Sequence, residues 1–123
     1  MASPRKILII DDEPSVAKTV KFILDAEGFE ASVVFSGEDG LKKIESEKFD
    51  LVLLDIMMPK VNGWQVFDEL RKKHPDLKVA FLTVIRYSNA VKDKLEKDGL
   101  ADFITKPFDN EDLVERVKHI TSK

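Results

Sequence analysis

The feature that most constrains this chain is an alternation of short, wholly apolar runs with longer amphipathic stretches. Residues 7–10 (ILII) end in Asp11-Asp12, residues 51–54 (LVLL) end in Asp55, and residues 79–82 (VAFL) end in Thr83. Runs this short and this apolar suit strands buried on both faces, as in a parallel sheet. Residues 31–35 and 101–104 are weaker candidates for two further strands. Helical patterns lie between them. Pro14 fits a first helical turn, Val16, Val20, Ile23 and Leu24 repeat with helical spacing, and Gly28 stops that helix. Ser36 with Asp39 resembles a capping box ahead of Leu41 and Ile44. Gly63 precedes a helix carrying Val66, Phe67 and Leu70, which ends before Pro75. Ser88 can cap a helix containing Val91 and Leu95, with Gly99 as its stop. Asp109 can cap the last, with Leu113, Val114, Val117 and Ile120 on its inner side and Phe108 and Leu113 at hydrophobic-staple positions.

Five strands alternating with five helices predict an α/β fold, doubly wound, with right-handed crossovers and helices on both faces. The strand order 2-1-3-4-5 suits a five-stranded chain of 123 residues. That length is one domain, expected to fill residues 1–123 with no second domain. In this order the first and third strands are neighbours, and their carboxyl ends flank the crevice where open parallel sheets bind ligands.

Composition narrows the function. A net charge of -3 argues against direct nucleic-acid binding, which needs a basic face. The absence of cysteine excludes disulfides and thiolate metal sites. No uncharged apolar run approaches the ~20 residues of a membrane span, and residues 1–6 lack the apolar core of a signal peptide. A cytoplasmic protein is expected.

Asp11, Asp12 and Asp55 stand at the carboxyl ends of two strands that the predicted order makes neighbours. Thr83 ends the next strand and Lys106 follows the fifth. Two carboxylates about 5 Å apart repel by roughly 3 kcal/mol at an effective dielectric near 20. Either one takes up a proton or a cation joins them. Hard oxygens that leave room for water favour Mg²⁺, with Mn²⁺ as a substitute, over zinc. Such a site suits phosphate chemistry. Asp55, apart from the pair, can attack phosphorus and form an aspartyl phosphate, while Lys106 and Thr83 contact phosphoryl oxygens. Taken singly, each residue has a plainer reading. Asp11 and Asp12 can cap the first helix, Asp55 can be a loop residue, Thr83 a β-former and Lys106 a solvated turn lysine. Convergence on one sheet edge favours the site.

The motifs are those of a known family. ILIIDDEP at 7–14, DLVLLDIMMP at 50–59, Asn62-Gly63, Leu82-Thr83 and TKPF at 105–108, in this order and spacing, make the chain resemble response-regulator receiver domains over essentially its full length. The resemblance implies a flavodoxin-like fold and a role for each matching position. Asp55 matches the phosphoacceptor, Asp12 the direct Mg²⁺ ligand and Asp11 its acidic neighbour. Met57 matches the residue whose main-chain carbonyl binds the metal. Thr83 and Lys106 match the pair that contacts the phosphoryl group, and Phe103 matches the aromatic switch, with plain core packing as its alternative. A cis Lys106–Pro107 bond is implied as well. Three departures stand out: Val84 where a small residue is usual, a segment from Thr83 to Gly99 that looks one residue long, and Ala101-Asp102 where an acidic pair is common. The last removes one acidic residue from a face that many transcriptional regulators use to dimerise.

The function expected is a phosphorylation-controlled signalling module, not a turnover enzyme. A histidine kinase, a phosphotransfer protein or a small phosphodonor phosphorylates Asp55. The face formed by the fourth helix, fifth strand and fifth helix then engages an unidentified protein target, as a monomer or a phosphorylation-dependent dimer. The alternative is a small Mg²⁺-dependent phosphatase or phosphotransferase with an aspartyl nucleophile. Such enzymes commonly carry a second aspartate two residues after the nucleophile, and here that position is Met57. A third reading is an interaction domain that never uses the site. Met57 and Ile85, both apolar, are expected to flank the attacking water's path and leave dephosphorylation slow. His74 and His119 are expected at exposed helix ends, Trp64 in packing, and Arg86 and Tyr87 in a loop near the site.

Overall fold

The computed structural model describes residues 4–122; residues 1–3 of the leader stretch considered above lie outside them. Strands β1 (Lys6–Ile10), β2 (Glu30–Val34), β3 (Leu51–Leu54), β4 (Lys78–Thr83) and β5 (Asp102–Thr105) alternate with helices α1 (Pro14–Ala26), α2 (Gly37–Ser46), α3 (Gly63–Lys73), α4 (Asn89–Lys97) and α5 (Asn110–Thr121). All strand pairs are parallel and the order is β2-β1-β3-β4-β5, as expected.

The apolar runs split residue by residue between two cores. Leu8, Ile10, Val52, Leu54, Val79, Phe81 and Phe103 face α2, α3 and α4, which supply Ile44, Val66, Phe67, Leu70 and Leu95. Ile7, Ile9, Leu51, Leu53, Ala80, Leu82 and Ile104 face α1 and α5, which supply Ala17, Val20, Leu24, Leu113, Val117 and Ile120. Alternate side chains leave opposite faces of a strand, so a strand covered on both sides must be apolar throughout. Each fully buried Leu, Ile, Val or Phe contributes about 1.5–3 kcal/mol.

Local chemistry sets the boundaries. Gly28 and Gly99 follow α1 and α4 at φ of 93° and 106°, the left-handed conformation that ends helices. Ser36, Ser88 and Asp109 accept hydrogen bonds from the first-turn backbone of α2, α4 and α5. Phe108 packs in the same core as Leu113, where a staple places it. Four details correct the sequence reading. Gly63 is the first residue of α3 rather than its predecessor; Asn62 is the cap and forms a full capping box with Gln65. Strands β2 and β5 begin and end one residue away from the expected positions. Val91 is 40% exposed, so α4 is held to the core through Leu95. His74 is half-buried and hydrogen-bonds to Glu45.

Candidate functional site

The ends of four strands meet at one edge of the sheet. The Asp55 N–H donates to the Ile10 carbonyl at 3.0 Å and the Lys106 N–H to the Thr83 carbonyl at 2.8 Å, so the hydrogen-bonded ladder runs into the site. Asp11, Asp55, Thr83 and Lys106 are buried and Asp12 is half-buried. Oxygens of Asp11, Asp12 and Asp55 lie within 4.8 Å of one another. Lys106 Nζ donates to Asp11 at 2.6 Å and to Asp55 at 3.3 Å. The sequence reading therefore placed all five of these residues together.

Backbone donors hold the carboxylates. The Glu13 N–H donates to Asp11 Oδ1 at 3.0 Å and the Met57 N–H to Asp55 Oδ1 at 3.2 Å. Asp11 thus also meets its plainer reading, serving the loop into α1, whose own N-cap residue Glu13 supplies no side-chain bond. The Thr83 hydroxyl accepts from the Ile85 N–H at 3.3 Å. Burial pushes the Asp11 carboxyl above its ordinary range, against the hydrogen bonds from Lys106 and Glu13 and the charge of Lys106. Burial alone would lower the Lys106 ammonium, but its hydrogen bond to Asp11 and the charges of Asp55 and Asp11 hold it above the usual lysine value. At Lys106 the neighbouring carboxylates outweigh burial, whereas at Asp11 burial outweighs the help from Lys106.

The surroundings follow from three loops. Gly63 lies where a side chain could not: a Cβ there would fall 2.4 Å from the Asp55 carbonyl oxygen. Lys60, at φ 64°, turns the chain between β3 and α3. Met57 and Val84 are exposed, 58% and 55%. Ile85 instead turns partly into the core. Arg86 reaches the Lys106 carbonyl at 3.4 Å, and the Lys106–Pro107 bond is cis. Trp64 packs as expected, in edge contact with Phe81. Phe103, on β5, is 6% exposed and touches Phe81 and Tyr87. Sequence reading placed Tyr87 near the site but gave no sign of its contact with Phe103. That contact joins a loop to a strand fifteen or more residues away, and no periodicity encodes it.

Three carboxylates, one ammonium, one hydroxyl and several backbone groups make a set of hard donors that fits a divalent cation and a phosphoryl group. Residues 7–118 match the family described as the response regulator receiver domain. The chain is 38% identical to the transcriptional activator protein IrlR of Burkholderia pseudomallei over 94% of its length, and 35% identical to the transcriptional regulatory protein PhoP of Bacillus subtilis, also over 94%. It spans about half the length of these relatives, 49% and 48%. Among solved structures it resembles the response regulator protein TrrA of Thermotoga maritima (TM-score 0.82, 36% identity, covering 94% of this chain and 98% of that one). It likewise resembles a receiver domain protein of Methanospirillum hungatei (TM-score 0.88, 32% identity, covering 98% and 95%). Fold, site and motifs converge: the chain belongs to the response regulator receiver domains, the signalling modules of two-component systems.

Proposed function

We propose that Asp55 is the phosphoacceptor of this receiver. A carboxylate oxygen of Asp55 attacks phosphorus. The new O–P bond forms as the P–N bond of a kinase phosphohistidine, or the P–O bond of a small phosphodonor, breaks, and the electron pair leaves with the imidazole or carboxylate. The single observation that carries this reading is the meeting of the Asp11, Asp12 and Asp55 oxygens within 4.8 Å beside the Lys106 ammonium. Those donors fit a cation: Asp11, Asp12 and Asp55, with the Met57 carbonyl, would hold Mg²⁺ or Mn²⁺. Bound there, the cation supplies charge neutralisation for the incoming phosphoryl oxygens. The related TrrA was solved in complex with Mg(2+)-BeF, which supports the assignment.

The chain's own groups do the rest. Lys106 keeps its proton at Nζ and pairs with a phosphoryl oxygen, and the Thr83 hydroxyl hydrogen-bonds another. The Asp55 N–H bond to the Ile10 carbonyl and the Met57 N–H bond to the Asp55 carboxylate fix the nucleophile. Thr83 and Phe103 form the switch that alters the α4, β5 and α5 face for a protein target. Asp102, on that face, is already tied within the chain to Arg116 at 2.9 Å. Neither Met57 nor Ile85 can orient an attacking water, so the phosphorylated state is long-lived. A half-life of seconds at room temperature would contradict this. A cytoplasmic location, and control of transcription by any longer protein that carries this domain, belong to the same proposal. The alternative reading as a phosphatase is not favoured, since Met57 stands where a second aspartate would act as acid and base.

Intact-mass measurement tests the assignment. Acetyl phosphate with Mg²⁺ should add one phosphoryl group to the wild type and none to Asp55→Ala. An equal gain in both proteins would overturn it.

A further inference from the structure

We propose that Met57 is an oxidation site that sets the lifetime of the phosphorylated state: a peroxide converts its thioether to the sulfoxide, and the new oxygen guides water onto the phosphoryl group. The inference rests on the phosphoacceptor reading of Asp55.

The chain has no cysteine and three methionines, so all of its oxidisable sulfur is thioether. Met1 lies outside the described residues. The other two are neighbours in very different surroundings. Met58 is 8% exposed and packs in the core under α2, α3 and α4, while Met57 is 58% exposed. A peroxide must touch the sulfur to oxidise it, so Met57 reacts first. The Met57 N–H is bonded to Asp55 Oδ1 at 3.2 Å, which pins this residue beside the nucleophile. Ile85, the other apolar residue expected to flank incoming water, turns partly into the core. Met57 is therefore the open side chain at that approach.

In the first step the sulfur lone pair attacks the peroxide and the O–O bond breaks. One oxygen stays on sulfur and the other leaves as water. A thioether is a weak hydrogen-bond acceptor, whereas the sulfoxide is polar and its oxygen accepts strongly. In the second step that oxygen accepts a hydrogen bond from water beside the phosphoryl group. The water attacks phosphorus, the bond to Asp55 breaks with its electron pair returning to the carboxylate, and the proton leaves with inorganic phosphate. Oxidation alters neither the N–H nor the carbonyl of Met57, so the backbone tie to Asp55 persists.

The protein is treated with hydrogen peroxide and the oxidised methionines are located by peptide mass. After loading with acetyl phosphate and Mg²⁺ and removal of the donor, loss of the phosphoryl group is followed by intact mass. Met57 should gain oxygen well before Met58. The lifetime should then fall about tenfold, the scale of one hydrogen bond made in the transition state. Methionine sulfoxide reductases acting on both epimers should restore it. In Met57→Leu, compared with its own untreated sample, peroxide should leave the lifetime where it was, although Met1 and Met58 are still present. Oxidation of Met58 ahead of Met57, an unchanged lifetime once Met57 is fully oxidised, or an equal shortening in Met57→Leu would overturn the oxidation site alone. No mass gain from acetyl phosphate in any protein, untreated samples included, would overturn the phosphoacceptor reading and this one with it.

Discussion

Lys106 decides the electrostatics of the site residue by residue. Its ammonium touches two carboxylates, and all three side chains are less than a tenth exposed. Removing one partner of a buried charge group leaves the others uncompensated, at a cost of about 3 kcal/mol. Lys106→Ala should therefore melt well below the wild type in chelator. Added Mg²⁺ should recover more of the variant's stability than the wild type's, because the cation takes over the missing charge. Equal melting temperatures in chelator would show that Lys106 is not the counter-charge. Gly63 makes a second test. A Cβ there would meet the Asp55 carbonyl oxygen at 2.4 Å and Ile56 Cα at 2.6 Å, both backbone atoms that cannot step aside. At Gly40 the nearest atom is the end of the Ile10 side chain, also at 2.4 Å, which can rotate. Gly63→Ala should thus cost more stability than Gly40→Ala in denaturant melts and should also slow phosphoryl uptake. Both pieces were half-visible beforehand. The sequence placed Lys106 and Gly63 in motifs, but only the fold shows that Gly63 is a spacer against the nucleophile's own carbonyl.

Elements hold their places through a few bonds that link ends. Asp25, in the last turns of α1, accepts from the Ala31 N–H of β2 at 3.0 Å and from Lys21 within the helix. Partial burial works to raise its carboxyl, but the bonds from Lys21 and Ala31 outweigh it and hold the group below its ordinary value. A carboxylate depressed on folding stabilises above its unfolded pKa, and the contribution fades as pH falls through the folded value. Asp25→Ala should cost about 1 kcal/mol at neutral pH, and the gap to wild type should close in strongly acidic buffer. A gap that stays constant with pH would assign the loss to packing instead. Helix ends show where sequence reading was sound and where it slipped. Ser36, Ser88 and Asp109 were legible as caps because each sits just ahead of an apolar repeat. The sequence reading sets only Gly63 ahead of α3, although Asn62 with Gln65 carries the capping-box spacing. Val91 fits a helical repeat by type, yet α4 is short and turns it outward.

At the scale of the molecule, the order β2-β1-β3-β4-β5 is what makes the site. It sets β1 beside β3 and gathers polar groups from four strand ends, and right-handed crossovers leave that edge open. This was readable in advance, since strands covered on both faces show as unbroken apolar runs and each run here ends in the residue that matters. What could not be read was contact between segments that no period relates, such as Tyr87 on Phe103 or Arg86 on the Lys106 carbonyl. The central claim is that this convergent edge directs a phosphoryl group to one carboxylate. Borohydride reduces an acyl phosphate to the alcohol, so a phosphorylated aspartate becomes homoserine and can be located by peptide sequencing. After treatment with acetyl phosphate and Mg²⁺, homoserine should appear at position 55 and disappear when Mg²⁺ is chelated beforehand. Homoserine at position 11 or 12, or at no position despite full exposure to the donor, would contradict the account.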